Sequence, residues 1–262
     1  MSKWFAFPAG PAYVFRGPKC RPRRTYLRMN PQKNRISIKQ LIESFLALMP
    51  RRVESDPYSK MLPNFIANVK ANPSARILEV GARNVTGNPV RQNFAGFDYV
   101  GMDIHPGENV DIVGDAHRLS ETFPENSFDA IISIAVFEHL FFPWKVAMEM
   151  NKVLRPNGRV IVVTHPTWPS HELPWDFWRF QENGMHALFN KATGFKVVDV
   201  KEGLPARLLP LVLDRAFANV GLFNVNMAIA VEAVKIGPVD PRLRWDVPYN
   251  EITDTMYPLP SK

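Results

Sequence analysis

The sequence predicts an α/β domain built on a doubly wound, mostly parallel β-sheet. Short apolar runs recur along the chain, as expected of strands that are covered on both faces. At least seven residues separate each of the first four runs from the next, which leaves room for helices or crossover connections. With 262 residues, of which 46% are hydrophobic, the chain can bury one substantial core.

Seven strands are expected, and their predicted bounds are 76–80, 99–103, 111–113, 128–134, 159–164, 195–200 and 224–234. Apolar residues keep helical spacing in five further segments, which are 36–49, 59–70, 144–154, 182–192 and 204–223. Pro50 ends the first helix, and the sequence Asn72-Pro73-Ser74 ends the second. If the seventh strand turns back beside the sixth, the sheet ends in an antiparallel pair.

We divide the chain into an arm, a main domain and a tail. Residues 1–35 are basic and rich in proline, without a helical or strand period, and we expect an irregular arm. The main domain spans 36–236 and carries an insert at 165–192 and a helical insert at 204–223. Residues 237–262 hold five prolines and predict a loosely packed tail.

The net charge of +7 is concentrated near the amino terminus. Residues 1–42 hold ten Lys/Arg and no Asp/Glu, which leaves 22 basic and 25 acidic residues in the rest of the chain. The domain is therefore slightly acidic, which argues against nucleic acid as its partner. The arm could be inert, or it could contact an anionic lipid surface, RNA or a partner protein. Its lack of acids is also typical of organelle transit peptides, but its prolines spoil the amphipathic helix expected there.

Cysteine content and hydropathy limit the cellular compartment in which the protein is expected. Cys20 is the only cysteine, which excludes an internal disulfide and a cysteine zinc cluster. No apolar run approaches the ~18 to 20 residues that cross a bilayer, and the first thirty residues lack the hydrophobic stretch of a secretory signal. We therefore expect a soluble protein of the cytoplasm.

Acidic residues stand at or just after the carboxyl ends of three predicted strands, at the edge where open α/β sheets bind ligands. Gly81 would let the backbone approach a ligand closely, while Glu79 could accept hydrogen bonds from the ligand or anchor the loop. Asp103 lies where a carboxylate can bind both hydroxyls of a ribose, in NAD enzymes and other adenosine binders alike. Asp115 could accept from an adenine amino group while Ala116 leaves room for the ring, or it could be a helix N-cap. Together the three acids predict a nucleotide site.

Five sequence blocks follow one another along the chain. In order, they are Ile77-Leu78-Glu79-Val80-Gly81, Tyr99-Val100-Gly101-Met102-Asp103, Val113-Gly114-Asp115-Ala116, Phe137-Glu138-His139-Leu140 and Val153-Leu154-Arg155-Pro156-Asn157-Gly158. These blocks resemble those of class I S-adenosylmethionine-dependent methyltransferases, especially the type 11-like subgroup. The resemblance covers roughly residues 75–200 and implies a seven-stranded sheet whose last strand is antiparallel. It also implies S-adenosylmethionine as the cofactor, with Glu79 and Gly81 at its methionine part, Asp103 at the ribose and Asp115 at the adenine.

One position departs from the family pattern. Arg83 replaces the second glycine of the family's cofactor loop, with Ala82 before it and Gly87 after it. The guanidinium could meet the carboxylate of the cofactor in a charge-assisted bond, or it could crowd the loop. We expect binding, since the residues for the ribose and the adenine are in place.

The acceptor side of the site is expected beyond the fourth and fifth strands. His139 stands where the family places residues that face the transferred methyl group, and it could take a proton from a substrate hydroxyl or have a structural role. The insert suits the wall of a substrate pocket, with His171, Trp175 and Arg179 as candidate substrate-binding residues. The alternative for the insert is a small satellite core closed by an ion pair between Asp176 and Arg179.

The resemblance implies an enzyme that methylates an oxygen, or less readily a nitrogen, of a small molecule or glycan. Direct displacement needs alignment and a base but no covalent nucleophile. No metal is expected, because His165, His171 and Glu172 lack a tight ligand pattern. Two alternatives stay open. One is a catalytically silent methyltransferase-like binding or scaffold protein, suggested by Arg83 and the basic arm. The other is an NAD-dependent dehydrogenase, which the lack of Gly-x-Gly-x-x-Gly disfavours.

Overall fold

The computed structural model describes residue 45 and residues 57–85, 87, 89–208 and 223–243. The chain divides into two units, Met1–Pro50 and Arg51–Lys262. Phe45, which is helical and exposed, is the described part of the first unit. The predicted arm, the rest of the predicted first helix and the tail beyond residue 243 lie outside the described residues. Within the described part, no helix is long and apolar enough to cross a membrane.

The second unit contains one seven-stranded sheet. Its strands are β1 (Arg76–Val80), β2 (Asp98–Asp103), β3 (Ile112–Val113), β4 (Phe128–Ile134), β5 (Leu154–Thr164), β6 (Phe195–Leu208) and β7 (Phe223–Lys235). They lie in the order β3-β2-β1-β4-β5-β7-β6. The first five strands pair in parallel, whereas β7 runs antiparallel to both β5 and β6. This confirms the predicted fold class, including its antiparallel last strand.

Helices cover both faces of the sheet, and they are α1 (Met61–Lys70), α2 (Leu119–Thr122), α3 (Pro143–Val153) and α4 (Glu182–Leu188). Side chains of α1 share a core with Ile77 and Ile132 on one face. Side chains of α2, α3 and α4 share a second core with Leu78 and Ile131 on the other face. Neighbouring residues of one strand thus enter opposite cores, which explains why these strands read as continuous apolar runs.

The carboxyl ends of β1, β2, β3 and β4 lie at one edge of the sheet. Strand β1 is flanked by β2 on one side and β4 on the other, and Val80 lies beside Met102 and Ser133. From β1 the chain continues to β2 on one side, whereas from β4 it continues to β5 on the other side, so the strand order reverses between β1 and β4. Such a switch point opens a crevice outside the strand ends.

Strand β6 is longer than predicted. It extends to Leu208 and pairs along its length with β7, where Leu208 faces Phe223. The helix predicted at 204–223 is therefore wrong at both ends, and residues 209–222 lie outside the described part. The helical spacing misled because pairing with a distant strand decides the structure of this segment, and an edge strand tolerates Pro205.

Three other bounds differ from the prediction by more than one residue. Residues 155–158, which fall between the predicted helix 144–154 and the predicted strand 159–164, lie inside β5, where the register against β4 shifts and Asn157 has a φ of 62°. Helix α4 ends at Leu188, because the Asn190 side chain accepts a hydrogen bond from the backbone N–H of Ala192 (2.8 Å) and so favours a turn. The helix predicted at 59–70 begins with a 3₁₀ turn at Pro57–Lys60.

The first part of the predicted insert, residues 165–181, joins β5 to α4 and is held together by Asp176. The side chain of Asp176 is 2% exposed, and its carboxylate accepts two hydrogen bonds from Arg179, at 2.5 and 2.7 Å. It also accepts one from the backbone N–H of His171 at 2.9 Å. Arg179 donates further to the carbonyls of Trp168 and Pro169, both at 3.1 Å. The alternative interpretation of these two residues, an ion pair that closes the insert, is confirmed.

Replacing Asp176 with asparagine is expected to lower the free energy of unfolding by about 2 kcal/mol at pH 7, because Arg179 loses its charged partner. The hydrogen bonds from Arg179 hold the pKa of Asp176 well below its ordinary value. The stabilisation is therefore complete above the ordinary carboxyl pKa of about 4, and it is lost as the pH falls through the lower value of the folded state. Urea unfolding at pH 7 and pH 3 should show a difference that narrows in acid.

Asp240→Asn is the matched control, because Asp240 pairs with Arg242 at the surface. This substitution should change the free energy of unfolding little at either pH. Equal effects of the two substitutions would show that the insert does not depend on its ion pair.

Candidate functional site

One cavity of about 670 Å³ opens at the carboxyl ends of β1, β2 and β4, a size typical of small-molecule sites. Its lining includes the loop after β1, the end of β2, the segment after β3, the segment after β4 and part of the insert. Nine of the ten predicted site residues line it, and these are Glu79, Gly81, Arg83, Asp103, Asp115, Ala116, His139, His171 and Trp175.

Gly81 closes the floor of the cavity where the loop after β1 meets the loop after β4. It has a φ of 83°, and a Cβ at this position would lie 2.1 Å from Cγ2 of Val136. The backbone N–H groups of Gly81 and Ala82 both donate to the carbonyl of Met102, at 2.8 and 3.0 Å. Only glycine satisfies this backbone geometry and this close approach together.

Glu79 is buried and anchors the loop after β1. Its carboxylate accepts hydrogen bonds from the Tyr99 hydroxyl at 2.8 Å and the Asn109 side chain at 3.2 Å. The same nitrogen of Asn109 lies 3.0 Å from the carbonyl of Ala82, so the bridge reaches the loop backbone. Burial raises the pKa of Glu79 although these hydrogen bonds oppose the shift, and burial together with Glu79 raises the pKa of Tyr99. Of the two roles considered for Glu79, loop anchoring is present in the structure.

Asp103 ends β2 and fixes the two loops beside it. Its carboxylate oxygens accept from the backbone N–H of His105 at 2.9 Å and of Arg83 at 3.3 Å. The Nε of Arg83 lies 3.7 Å from Asp103, and the side chain of Arg83 packs against Gly107. Arg83 therefore lies along one wall of the cavity instead of filling it.

Asp115 caps the 3₁₀ turn Ala116–Arg118. One oxygen of its carboxylate accepts from the backbone N–H of His117 at 2.9 Å and contacts Nδ1 of the same ring at 2.7 Å. Nε2 of His117 accepts in turn from the backbone N–H of Phe142 at 3.2 Å. The capping role and the position in the cavity lining thus occur together, and buried Ala116 lies next to the cap.

His139 lies in a 3₁₀ turn, Phe137–His139, directly after β4. Its Nδ1 is 2.6 Å from the carbonyl oxygen of Trp175, which can only accept, so Nδ1 carries a proton and Nε2 carries the lone pair of the neutral ring. Nε2 is 4.0 Å from a carboxylate oxygen of Glu172. The ring of His171 packs edge-on against His139, with centroids 4.7 Å apart. The insert therefore supplies the contacts that orient His139.

Glu138 was not singled out from the sequence. Its side chain is 0% exposed, and Oε2 accepts a hydrogen bond from Thr164 at 2.6 Å. Oε1 has no hydrogen-bond partner within the part of the chain that the structure describes, and it lies 3.4 Å from Nε2 of His165. A signal like the one that pointed to Glu79, an acid at or just after the carboxyl end of a buried strand at the ligand edge, was present here too. Tyr99 and Asn109 carried no such signal, because their partner depends on the strand register.

Arg179 does not reach the cavity. The ion pair with Asp176 holds its guanidinium within the insert, where it lines a separate hollow beside Trp144 and Trp178. Of the predicted substrate residues, the structure thus brings His171 and Trp175 to the cavity, and the placement of Arg179 argues against the same role for it.

Residues 78–162 match the family described as a methyltransferase domain. A demethylmenaquinone methyltransferase of Renibacterium salmoninarum is 33% identical over 112 residues, which are 38% of this chain and 46% of that protein. An uncharacterized methyltransferase of Mycolicibacterium gilvum is 34% identical over 84 residues, which are 28% of this chain and 32% of that protein. The chain thus spans less than half the length of the curated relatives that it matches.

Among solved structures, a proposed methyltransferase of Bacillus halodurans is similar in fold, with a TM-score of 0.51. The alignment covers 68% of this chain and 100% of the other, at 12% identity. At this identity the likeness concerns the fold alone.

Proposed function

We propose that the chain, whose residues 78–162 match a methyltransferase family, transfers a methyl group from S-adenosylmethionine to a hydroxyl of a small molecule or glycan. The observation that carries the proposal is one cavity that contains both the strand-end carboxylates and His139.

The donor half of the site fits the cofactor. Each carboxylate oxygen has several lone-pair directions, so the backbone bonds to Asp103 leave capacity to accept from the two ribose hydroxyls. Asp115 would accept from the adenine amino group, with Ala116 beside the ring. Gly81 in the cavity lining would lie next to the methionine part, where the guanidinium of Arg83 would meet its carboxylate.

The acceptor half of the site would remove a proton. When bound, S-adenosylmethionine would supply a methyl group activated by a positively charged sulfur, with S-adenosylhomocysteine as the leaving group. Nε2 of His139 would take the proton of the acceptor hydroxyl, since Nδ1 is already protonated towards Trp175. The nearby carboxylate of Glu172 would stabilise the resulting imidazolium. His171 and Trp175 would form the wall against which the acceptor packs.

Asp103→Asn should weaken binding of S-adenosylhomocysteine by about tenfold or more, because charge-assisted hydrogen bonds to the ribose become neutral ones. Calorimetric titration measures this, with wild-type protein binding clearly. Asp98→Asn is the matched control, because Asp98 stands exposed at the opposite end of the same strand. Equal affinities of the two variants would show that Asp103 does not contact the ligand. If the wild-type protein fails to bind S-adenosylhomocysteine at millimolar concentration, the proposed function is wrong.

Arg83→Ala should weaken binding of S-adenosylhomocysteine but leave binding of 5′-methylthioadenosine unchanged, because the smaller ligand lacks the carboxylate that Arg83 would contact. The comparison separates the contact of Arg83 with the carboxylate from an indirect effect through Asp103. An indirect effect would weaken the binding of both ligands, because both contain the ribose. Titrations of both ligands with both proteins provide the four affinities. Equal weakening for the two ligands would contradict the assignment of Arg83 to the carboxylate.

His139→Gln should lower kcat for a hydroxyl acceptor by about 10²-fold or more, while binding of S-adenosylhomocysteine stays unchanged, because glutamine cannot take up the proton. Turnover is measured on the best wild-type substrate from a panel of phenols, glycosides and amines. His186→Gln is the control, because His186 is exposed on α4. Full turnover by His139→Gln would show that His139 is not the general base. Cofactor binding by the wild-type protein without methylation of any acceptor would favour the catalytically silent alternative.

A further inference from the structure

Two residues of the cavity lining, His139 and His171, form with the buried Glu138 a group of metal-binding side chains that the proposed methyl transfer leaves partly unused. One ligand atom from each of Glu138, His139 and His171 lies within 4.8 Å of those of the other two. We propose that these three side chains bind a divalent metal ion of the zinc class, with an open coordination position towards the cavity. This inference does not rest on the proposed function, because it requires neither cofactor nor acceptor.

Both histidines have the kind of Nδ1 partner that metal-binding histidines have. Nδ1 of His139 lies 2.6 Å from the carbonyl oxygen of Trp175, and Nδ1 of His171 lies 3.1 Å from the carbonyl oxygen of Pro169. Nδ1 of His171 is also 3.5 Å from Asp176. Protein groups that accept from Nδ1 fix the tautomer in which Nε2 carries the lone pair, and metal-binding histidines almost always have such a partner.

Glu138 provides the second, independent observation. Its side chain is fully buried, Oε2 is fixed by Thr164, and Oε1 has no hydrogen-bond partner among the described residues. The nearest cationic group to Oε1 is Nε2 of His165 at 3.4 Å, which is charged only when that ring is protonated. A buried carboxylate oxygen without a partner costs stability, and a bound cation would remove this cost.

The donor set selects the class of metal. Two imidazole nitrogens and one carboxylate oxygen suit zinc, cobalt or nickel, whereas magnesium and calcium prefer oxygen donors throughout. Three protein ligands with a fourth position open to a cavity are typical of catalytic zinc sites. Glu172 is 45% exposed and approaches His139 from the cavity side, so its carboxylate could also occupy that position.

A metal ion on Nε2 of His139 occupies the same lone pair that would accept the proton of a substrate. The two uses of His139 therefore exclude each other at any moment. The sequence did not indicate this site, because Glu138 and His139 are separated from His171 by more than thirty residues and the path of the insert brings them together.

The test is metal binding itself. Tag-free protein, stripped with a chelator and desalted, is titrated with Zn²⁺ by calorimetry and with Co²⁺ by visible absorption. Wild-type protein should bind one equivalent of either ion. Glu138→Gln and His171→Ala should each weaken binding more than about tenfold, the loss that even an outer-shell change causes. His186→Ala, which removes an exposed histidine outside the site, should bind as wild type does.

Far-ultraviolet circular dichroism of the same samples reports whether each variant is folded, and binding of S-adenosylhomocysteine is measured separately. His171→Ala serves as the second variant, because a substitution at the fully buried Glu138 could unfold the protein. The side chain of His171 is partly exposed, and its removal leaves no buried charge without a partner. Absence of wild-type metal binding, or equal binding by His171→Ala and His186→Ala, overturns the metal site. If S-adenosylhomocysteine still binds, the proposed function stands without it.

Discussion

The buried hydrogen bonds of Glu79 are the interaction on which the rest of the site depends. Tyr99 and Asn109 donate to this carboxylate, and Asn109 also reaches the loop backbone at Ala82. They hold a charged group at the end of a buried strand, where the loop must turn sharply at Gly81. Without them the loop after β1 would lose its anchor, and the cavity would lose its floor.

The same physical device occurs a second time beyond the neighbouring strand β4. Glu138 lies just after this strand as a fully buried carboxylate, with Thr164 fixing one oxygen. Its backbone carbonyl accepts hydrogen bonds from Phe177 and Trp178 of the insert. The two buried acids thus divide the cavity. Glu79 stabilises the loop of the half that would hold the cofactor, and Glu138 ties the other half to the insert.

The insert gives the second half its chemistry. Its carbonyls at Trp175 and Pro169 orient His139 and His171, and its Asp176–Arg179 pair keeps the backbone in place. An imidazole held in this way can accept a proton or bind a metal ion, because both uses need the same lone pair. What occupies Nε2 of His139 therefore decides which chemistry this corner performs.

The sequence by itself determined the carboxyl ends of β1 to β5, the parallel sheet and nine of the ten predicted site residues that line the cavity, because apolar runs followed by acids and glycine are local patterns. Tertiary structure alone decided the partners of those residues. Tyr99 reaches Glu79 through strand register, and Arg179 is turned from the cavity by Asp176. Pairing between β6 and β7 overrode a helical spacing at 204–208. These outcomes depend on contacts between segments far apart in the chain, which no local pattern contains.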